Sequence, residues 1–329
     1  MPARITRTWL LVLFWIVLPT LFVGCGEESG QAGASSQGAA NTAKDPDELV
    51  FAFAKQSKPE EIQANADKLA AILSKELGVP VRAQVPTSYG VVVQAMVSGT
   101  ADVAYFDSLA FLLAKRDGGA EILLAELRPD ANGVERTNYD SIFVVRADSD
   151  LNSIEDIVKR ASELRIAFTS PTSTSGYLMA MRRLVQEGLL KPGEDPVNKF
   201  AGVSFGGGYT QALEQVRDGR ADVCAVSFYT MEGPRADVYI KDPADRAKLK
   251  IIARTPAVPT HVVAVRGELS SELKAKIKAA LLKVSQENPE LLADVYGASR
   301  LTEVDPEEHI KATVEAMQYI GRPVDEFVK

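Results

Sequence analysis

The sequence contains few histidines, few cysteines and no excess of positive charge. Its 329 residues include two His, two Cys, 37 Lys and Arg and 44 Asp and Glu, which give a net charge of −7. Nucleic-acid binding depends on clustered cations that neutralise phosphates, so this balance argues against a nucleic-acid partner. Any anion that the protein binds must instead be held by a small, local group of residues.

The scarcity of histidine and cysteine also restricts catalytic and metal-binding chemistry. His261 and His309 are the two histidines, and the chain contains no His-Glu-x-x-His sequence, no paired cysteine motif and no Gly-x-Ser-x-Gly elbow. We therefore expect no metal, no cofactor and no catalytic residues. A hydrolase or transferase that lacks these motifs remains an alternative.

Residues 1–24 have the pattern of a signal peptide. Arg4 and Arg7 precede an apolar run over residues 9–18, and the segment ends in Leu-Phe-Val-Gly before Cys25. This ending resembles a bacterial lipobox, in which the cysteine is lipidated and becomes the first mature residue, although a Phe stands where Leu is usual. We expect lipid at Cys25 to anchor the protein to a membrane, in the periplasm or at the cell-envelope surface. An uncleaved anchor helix is the alternative, but the run is short for a span of about 20 residues.

The segment that follows this cysteine has the composition of a linker. Residues 26–46 are rich in Gly, Ser, Ala and Gln without apolar periodicity, so they cannot offset the entropy cost of ordering. We expect residues 25–46 to form a lipidated flexible tether. If Cys25 carries lipid, Cys224 has no disulfide partner, and its apolar neighbours predict a buried strand in which it packs as a small hydrophobe.

From residue 49 onward, short apolar strands alternate with amphipathic helices. Strands are predicted at 49–53, 81–85, 101–105, 121–127, 141–146, 165–168, 203–205, 222–226 and 262–265, and helices at 59–77, 90–98, 108–115, 154–164, 175–188, 210–218 and 271–286. This order predicts an α/β fold with mostly parallel sheets covered by helices. We expect residues 47–138 and 256–329 to form one lobe and residues 139–255 a second. The chain would then cross twice between the lobes and leave a ligand cleft between them.

The stretch from Thr169 to Met179 is rich in hydroxyl residues. Ser173, Thr174 and Ser175 lie between a predicted strand and a predicted helix, with no Lys, Arg or His among them. Their side chains can cap the helix, and the free N–H groups of its first turn, at the positive end of the macrodipole, can replace the hydration of an oxyanion. The pattern indicates a tetrahedral anion held by neutral donors. An ordinary helix cap is the alternative.

Three tyrosines stand where α/β proteins place ligand contacts. Tyr89 begins a predicted helix, Tyr105 ends a predicted strand, and Tyr209 follows three glycines between a strand and a helix. The glycine loop has neither the spacing of a dinucleotide fingerprint nor a P-loop lysine. The alternative for Tyr89 and Tyr105 is a half-buried core aromatic with its hydroxyl in water, and the alternative for the glycine loop is a flexible turn.

With these stretches, the chain resembles the periplasmic phosphate-, phosphite- and phosphonate-binding proteins of ABC transporters, a family of type II binding proteins. The resemblance covers nearly the whole chain after the tether. It is carried by Leu77-Gly78-Val79-Pro80-Val81, Tyr89 with Gln94-Ala95-Met96, residues 101–106, residues 141–149 and, most specifically, Ser173-Thr174-Ser175-Gly176-Tyr177. It implies a two-lobed periplasmic binding protein type II fold with the ligand cleft between the lobes. It also implies that Tyr89, Tyr105, Ser173, Thr174 and Ser175 bind the ligand's oxygens.

Three positions depart from the family pattern. Gly208-Tyr209-Thr210 stands where members often have Ser-His followed by an acidic residue. Ser227-Phe228-Tyr229 and Pro259-Thr260-His261 contain no carboxylate, where members that take aminophosphonates bind the ammonium group. The resemblance therefore implies a compact oxyanion such as phosphate or phosphite rather than 2-aminoethylphosphonate. Tyr209 and His261 would contact this anion, although His261 could instead bond to the backbone at a hinge.

The resemblance also implies a function. It predicts a solute-binding lipoprotein of an ABC importer, which closes its lobes on a phosphorus oxyanion and presents the closed form to the membrane permease. We expect a monomer without enzymatic activity. The same fold can serve as the oxyanion sensor partner of a membrane histidine kinase, which is the alternative function. Phosphite, phosphate, a small phosphonate and arsenate all remain candidate ligands.

Overall fold

The computed structural model describes residues 45–53, 59–130, 132–234, 236–298, 300–322 and 324–327. The predicted signal peptide, the lipidation at Cys25 and the tether as far as residue 44 lie outside the described residues. Within the described residues, no helix is both long enough and apolar enough to span a membrane. The chain from residue 42 to its end forms one compact unit.

Strands and helices alternate along most of this unit. Its first part contains β1 (Leu49–Phe53), α1 (Pro59–Leu77), β2 (Val81–Gln84), α2 (Tyr89–Val97), β3 (Val103–Phe106), α3 (Ser108–Gly118), β4 (Glu121–Pro129) and β5 (Glu135–Arg136). Its middle part contains β6 (Asn138–Arg146), α4 (Ile154–Arg160), β7 (Arg165–Phe168), a π-helical turn (Thr174–Leu178), α5 (Met179–Gln186), β8 (Gly202–Phe205), α6 (Tyr209–Arg217), β9 (Val223–Ser227), α7 (Pro243–Arg246) and β10 (Leu249–Pro259). Its last part contains β11 (Val262–Val265), α8 (Ser271–Glu287), α9 (Pro289–Tyr296), β12 (Arg300–Thr302) and α10 (Pro306–Ile320).

The strands form two mixed sheets. In the first, ordered β12-β4-β11-β3-β1-β2, β1 runs parallel to β2 and β3, but β11 lies antiparallel between β3 and β4, and β12 and β5 pair antiparallel with β4. In the second, ordered β10-β6-β9-β7-β8, β7 runs parallel to β8 and β9, but β6 is antiparallel to β9 and β10. The α/β class is confirmed. The prediction of mostly parallel sheets is wrong, because several strands enter without a crossover helix and such strands pair antiparallel.

β1 shows how one strand serves two cores. Its alternate residues point to opposite faces of the sheet. Val50 and Ala52 belong to one core cluster, which also contains residues of α2 and α3, and Leu49, Phe51 and Phe53 belong to another, which contains residues of α1 and α8. Because both faces are covered, all five residues of β1 are buried and the strand reads as a continuous apolar run.

The chain passes between the two sheets at adjacent points. β5 is followed directly by β6, whose first residue, Asn138, pairs with Pro259 at the end of β10. Thr260 then donates its N–H to the carbonyl of Thr137 at 3.0 Å and its hydroxyl to the carbonyl of Glu126 at 2.8 Å. The two connections therefore run side by side and are joined by hydrogen bonds.

The predicted helix after β7 begins as the π-helical turn and continues as α5. Gly176, inside this turn, packs directly against Thr169: a Cβ at Gly176 would lie 2.0 Å from Thr169 Oγ1. Both residues are buried, and the Thr169 hydroxyl has no hydrogen-bond partner among the described residues. The close approach of the turn to β7 therefore requires glycine at this position.

We expect Gly176→Ala to lower the free energy of unfolding by about 1–3 kcal/mol, because an added methyl group forces the turn away from Thr169. Urea unfolding followed by circular dichroism measures the change. Gly90→Ala is the matched control, since its new Cβ would have Ser88 Oγ as its nearest neighbour at 3.9 Å. This control should lose no stability, whereas equal stability of Gly176→Ala and the wild type would contradict the packing argument.

Candidate functional site

The structure places the seven residues singled out from the sequence in one buried region at the ends of strands and the starts of helices. Tyr89 and Tyr209 are the first residues of α2 and α6, Tyr105 lies in β3, and His261 joins β10 to β11. Ser173 caps the π-helical turn that Thr174 and Ser175 begin. All seven side chains are buried.

Ser173 and Ser175 contribute to the helix start in different ways. Ser173 Oγ accepts a hydrogen bond from the N–H of Gly176 at 3.1 Å, so it is a true N-cap. Ser175 Oγ lies 2.7 Å from the Tyr209 hydroxyl and 2.8 Å from Ser227 Oγ, and these last two groups are 2.7 Å apart. Three hydroxyls thus form a closed cluster, to which Tyr229 adds a fourth at 3.4 Å from the Tyr209 oxygen.

Thr174 joins the two halves of the molecule. Its N–H donates to Asp107 Oδ2 at 2.8 Å, and its hydroxyl oxygen accepts from the N–H of Leu109 at 2.9 Å. Asp107 is itself the N-cap of α3 and accepts from the N–H of Ala110 at 3.0 Å. The starts of α3 and of the π-helical turn therefore face each other, and each is capped by a side chain from the other segment.

Tyr89 and His261 belong to a chain of buried polar groups. The Tyr89 hydroxyl lies 2.8 Å from His261 Nε2, and His261 Nδ1 lies 3.0 Å from Glu126 Oε1. Because an ionised carboxylate can only accept, Nδ1 carries the proton in this contact. Arg128 closes the chain with two bonds to the same carboxylate, from Nε to Oε1 at 2.5 Å and from Nη2 to Oε2 at 3.2 Å.

The hydrogen-bonding capacity of the Glu126 carboxylate is fully used by these neighbours. Its oxygens accept from Arg128 twice, from His261 once and from the Tyr105 hydroxyl once, which accounts for the roughly four acceptor positions of a carboxylate. Burial raises the pKa of Glu126, but the charges of Arg128 and His261 more than compensate and hold that pKa at about 2. Glu126 therefore stays ionised without capacity to receive a further donor.

The structure places Tyr105 on the Glu126 side of this chain. It donates its hydroxyl hydrogen to Glu126 Oε2, its oxygen lies 2.8 Å from the carbonyl oxygen of Tyr296, and its ring stacks on His261 with centroids 5.3 Å apart. The bonds of Ser175 and Tyr209 gather in a different cluster. The predicted contact of Tyr105 with the ligand stays a prediction, and its observed bonds are those of a residue that supports Glu126 and His261.

Tyr139 is a residue of this region that the sequence interpretation missed. It is buried, its ring lies parallel to that of His261 with centroids 6.3 Å apart, and it contacts Tyr229 at 5.3 Å. Its hydroxyl lies beside Ser175, but it makes no hydrogen bond of normal geometry with any group in the described part of the chain. Its place in the sequence, at the predicted crossing between lobes, is the signal that could have identified it.

Burial also fixes the protonation state of the tyrosines. It raises the pKa of Tyr89, Tyr139, Tyr209 and Tyr229 above the ordinary value and is the largest cause for each of them. Their hydroxyls therefore remain O–H donors at physiological pH. Together with Ser175 and Ser227, they give the region a high density of neutral donors.

The described residues contain no group of His, Cys, Asp and Glu arranged to hold a metal ion. Cys224 is a free, buried thiol in β9, as the sequence predicts, and burial raises its pKa above the ordinary value. It is packed as a small apolar residue rather than presented for chemistry.

The fold and the site between the two sheets define a class, the two-lobed type II binding proteins. The structure of PhnD1 from Prochlorococcus marinus in complex with methylphosphonate has a TM-score of 0.68 and 21% identity, over 83% of this chain and 98% of that one. At this identity the likeness shows the fold alone, and it confirms the predicted two-lobed architecture.

The family follows from the sequence comparisons. The model of the family "ABC transporter, phosphonate, periplasmic substrate-binding protein" matches residues 51–309, so the chain belongs to that family. The chain is 27% identical to the phosphate-import protein PhnD of Mycolicibacterium smegmatis over 237 residues, 71% of this chain and 70% of that protein. It is 24% identical to the probable phosphite-binding protein PhnD1 of Prochlorococcus marinus over 247 residues, 72% of this chain and 78% of that protein.

These findings confirm the predicted family and the function of a substrate-binding component of an ABC transporter. The relatives are transport proteins rather than enzymes, and the family is periplasmic. The alternative of a sensor for a histidine kinase receives no support.

We expect Glu126→Gln to lower the free energy of unfolding by about 3–5 kcal/mol, because it leaves the buried Arg128 guanidinium without its counter-charge. Because the pKa of Glu126 falls from 4.5 to about 2 on folding, its stabilising effect is present above pH 4.5 and is lost as the pH falls through about 2. Urea unfolding across this pH range measures both effects.

The control for this variant is Glu315→Gln, at an exposed position of α10. It should change stability by no more than about 0.5 kcal/mol. The role assigned to Glu126 is wrong if its variant behaves like this control and keeps the acid sensitivity of the wild type.

Proposed function

We propose that the site binds a compact phosphorus oxyanion through neutral donors and that the lobes close on it. One observation carries the proposal: the buried Tyr139 hydroxyl has no partner in the described chain, although it lies beside Ser175 in a region rich in hydroxyl groups. A buried donor without an acceptor is costly. An oxyanion bound between the lobes would supply that acceptor.

Tyr89, Tyr139, Ser173, Ser175 and Tyr209 are the residues that we propose to contact the anion. The positive end of the π-helical turn adds the field of its dipole, while its N–H groups at Thr174 and Gly176 are already bonded to Asp107 and Ser173. For Thr174, Tyr105 and His261 we propose positioning roles, because Thr174 is bonded to Asp107 and Leu109, and the other two are bonded to Glu126. Direct contact by these three remains a prediction from the resemblance.

The carboxylate nearest to His261 supports a ligand without an amine. Glu126 has all its acceptor positions filled by Arg128, His261 and Tyr105, so a ligand ammonium could not bond to Glu126 and would have to use Asp107, the other buried carboxylate beside His261. Phosphate is named for one relative, phosphite for another, and methylphosphonate for a solved complex. We propose a ligand of this size rather than an aminoalkylphosphonate.

Closure follows from where the contacts lie. Tyr89 belongs to the part of the chain that forms the first sheet, whereas Tyr139, Ser175 and Tyr209 belong to the part that forms the second. A ligand that bonds to both parts binds the closed state more tightly than the open one, and this difference is what shifts the equilibrium. We propose lobes at residues 47–138 with 256–329 and at 139–255, and that the closed form is presented to the permease.

The remaining expectations form part of the same proposal. We propose a signal peptide over residues 1–24 and lipid at Cys25, which would tether a monomer to a membrane in the periplasm or at the cell-envelope surface. No enzymatic step is proposed, since the family and the relatives are substrate-binding components of transporters.

We expect Tyr139→Phe to weaken oxyanion binding by about 1–3 kcal/mol, because it deletes one donor to a buried charged acceptor. Isothermal titration with phosphate, phosphite and methylphosphonate measures the loss. Tyr296→Phe is a matched control, since Tyr296 also buries a hydroxyl that has no partner in the described chain. This control should bind as the wild type does. Equal affinities of all three proteins would contradict the site.

We expect Ser175→Ala to weaken binding of the same anions by about 1–3 kcal/mol, since it removes a donor and leaves Tyr209 and Ser227 with an incomplete cluster. Ser204→Ala is the control, because Ser204 Oγ in β8 donates to Gln215 at 2.7 Å, within the second lobe and outside the cluster. Unchanged affinity in Ser175→Ala, with a normal unfolding curve, would refute the role of the helix start.

A further inference from the structure

Asp107 is a buried carboxylate at the junction of the lobes, and no predicted ligand contact accounts for it. It follows β3 directly and is 1% exposed. Its Oδ1 accepts from the N–H of Ala110 at 3.0 Å, and its Oδ2 accepts from the N–H of Thr174 at 2.8 Å. The first bond caps its own helix, but the second reaches the helix start of the other lobe.

The neighbours of Asp107 are residues of the proposed site. Phe106 pairs antiparallel with Val262, so the next residues outward, Asp107 and His261, lie beside each other at the end of the ladder. On its other side, Asp107 bonds to Thr174, which directly precedes Ser175. Asp107 therefore stands between the Tyr89–His261 side of the site and the hydroxyl cluster.

The carboxylate has acceptor capacity left over. An ionised carboxylate offers about four acceptor positions, and the N–H of Ala110 with the N–H and hydroxyl of Thr174 fill three of them. No Lys or Arg of the described residues forms an ion pair with it, in contrast to Glu126. Burial raises the pKa of Asp107 above its ordinary value, and the charge of His261 and the hydrogen bonds from Ala110 and Thr174 offset only part of that rise.

An anion in this position meets a fixed negative charge. A fully deprotonated tetrahedral anion, such as sulfate, would bring only acceptor oxygens toward Asp107 and would be repelled. An oxyanion with one protonated oxygen can donate that hydrogen to Asp107, while its other oxygens accept from Tyr139, Ser175 and Tyr209. The unpartnered hydroxyl of Tyr139 and the remaining acceptor position of Asp107 thus suit different oxygens of one ligand.

We propose that Asp107 is a specificity-determining residue, which restricts the site to oxyanions that carry a proton on one oxygen. The inference rests on the proposed function, because it assigns Asp107 to the same ligand. Under this proposal, hydrogen phosphate and singly protonated phosphonates are ligands. Anions of the same shape that have no proton to donate are excluded.

Two pairs of anions test the proposal because each pair differs in its proton. Phosphate and sulfate share a tetrahedral shape, and methylphosphonate and methanesulfonate share a shape and, at mildly acidic pH, a single negative charge. Isothermal titration of the purified protein should give a preference of about 100-fold or more for the protonated member of each pair. In Asp107→Asn and Asp107→Ser, both of which retain a helix-capping side chain, this preference should fall at least about tenfold, mainly through tighter binding of the proton-free member.

Asp305→Asn is the matched control, because Asp305 is likewise an N-cap, accepting from the N–H of Glu308 at 3.0 Å, but lies exposed at the start of α10. It should keep both preferences. If the Asp107 variants bind all four anions more weakly by the same factor, Asp107 is only a structural cap and the proposal is overturned. If the wild type binds none of the anions, the proposed function fails as well.

Discussion

Burial of the Glu126 carboxylate is the constraint on which the geometry of the site depends. A charge in the interior is tolerated only when it is paired and hydrogen-bonded, and Arg128, His261 and Tyr105 meet this requirement. The same bonds orient His261, because donation from Nδ1 to Glu126 leaves Nε2 facing the Tyr89 hydroxyl at 2.8 Å. The position of His261 is therefore set by the charges of Glu126 and Arg128 behind it, which is how a supporting layer of residues makes a binding site rigid.

This arrangement prevents the Arg128 guanidinium from binding the ligand directly. The N–H groups of Arg128 are directed to Glu126 and to the carbonyl oxygens of Tyr296 and Gly297, and its guanidinium lies 4.0 Å over the ring of Tyr229. A free guanidinium would attract most anions within reach. Hydroxyls and peptide N–H groups instead form hydrogen bonds only with ligand oxygens that lie in the direction of the donor. Selectivity among anions therefore comes from geometry and from the number of hydrogen bonds formed.

Local signals explain which parts of this arrangement the sequence predicts. Ser173 and Ser175 were identifiable because helix capping depends on residues that are neighbours in the sequence. Tyr105 lies near the end of β3 as predicted, but no local signal specified its face: side chains alternate along a strand, and Tyr105 belongs to the core cluster opposite to that of Phe106. The meeting of Glu126 with His261 depends on the antiparallel entry of β11 beside β4, which no local pattern specifies. β10 was missed because its prolines, tolerated in an edge strand, interrupt the apolar pattern.

The facing helix starts set an electrostatic condition for closure. The N-terminus of a helix carries roughly half a positive charge, so bringing the start of α3 against the π-helical turn opposes two like charges. Asp107 lies between them and bonds to a backbone N–H of each segment, which offsets that repulsion. A bound oxyanion next to Asp107 would contribute further negative charge at the same junction. Closure and anion binding then depend on one electrostatic balance, in which a proton shared between the ligand and Asp107 keeps the junction from becoming too negative.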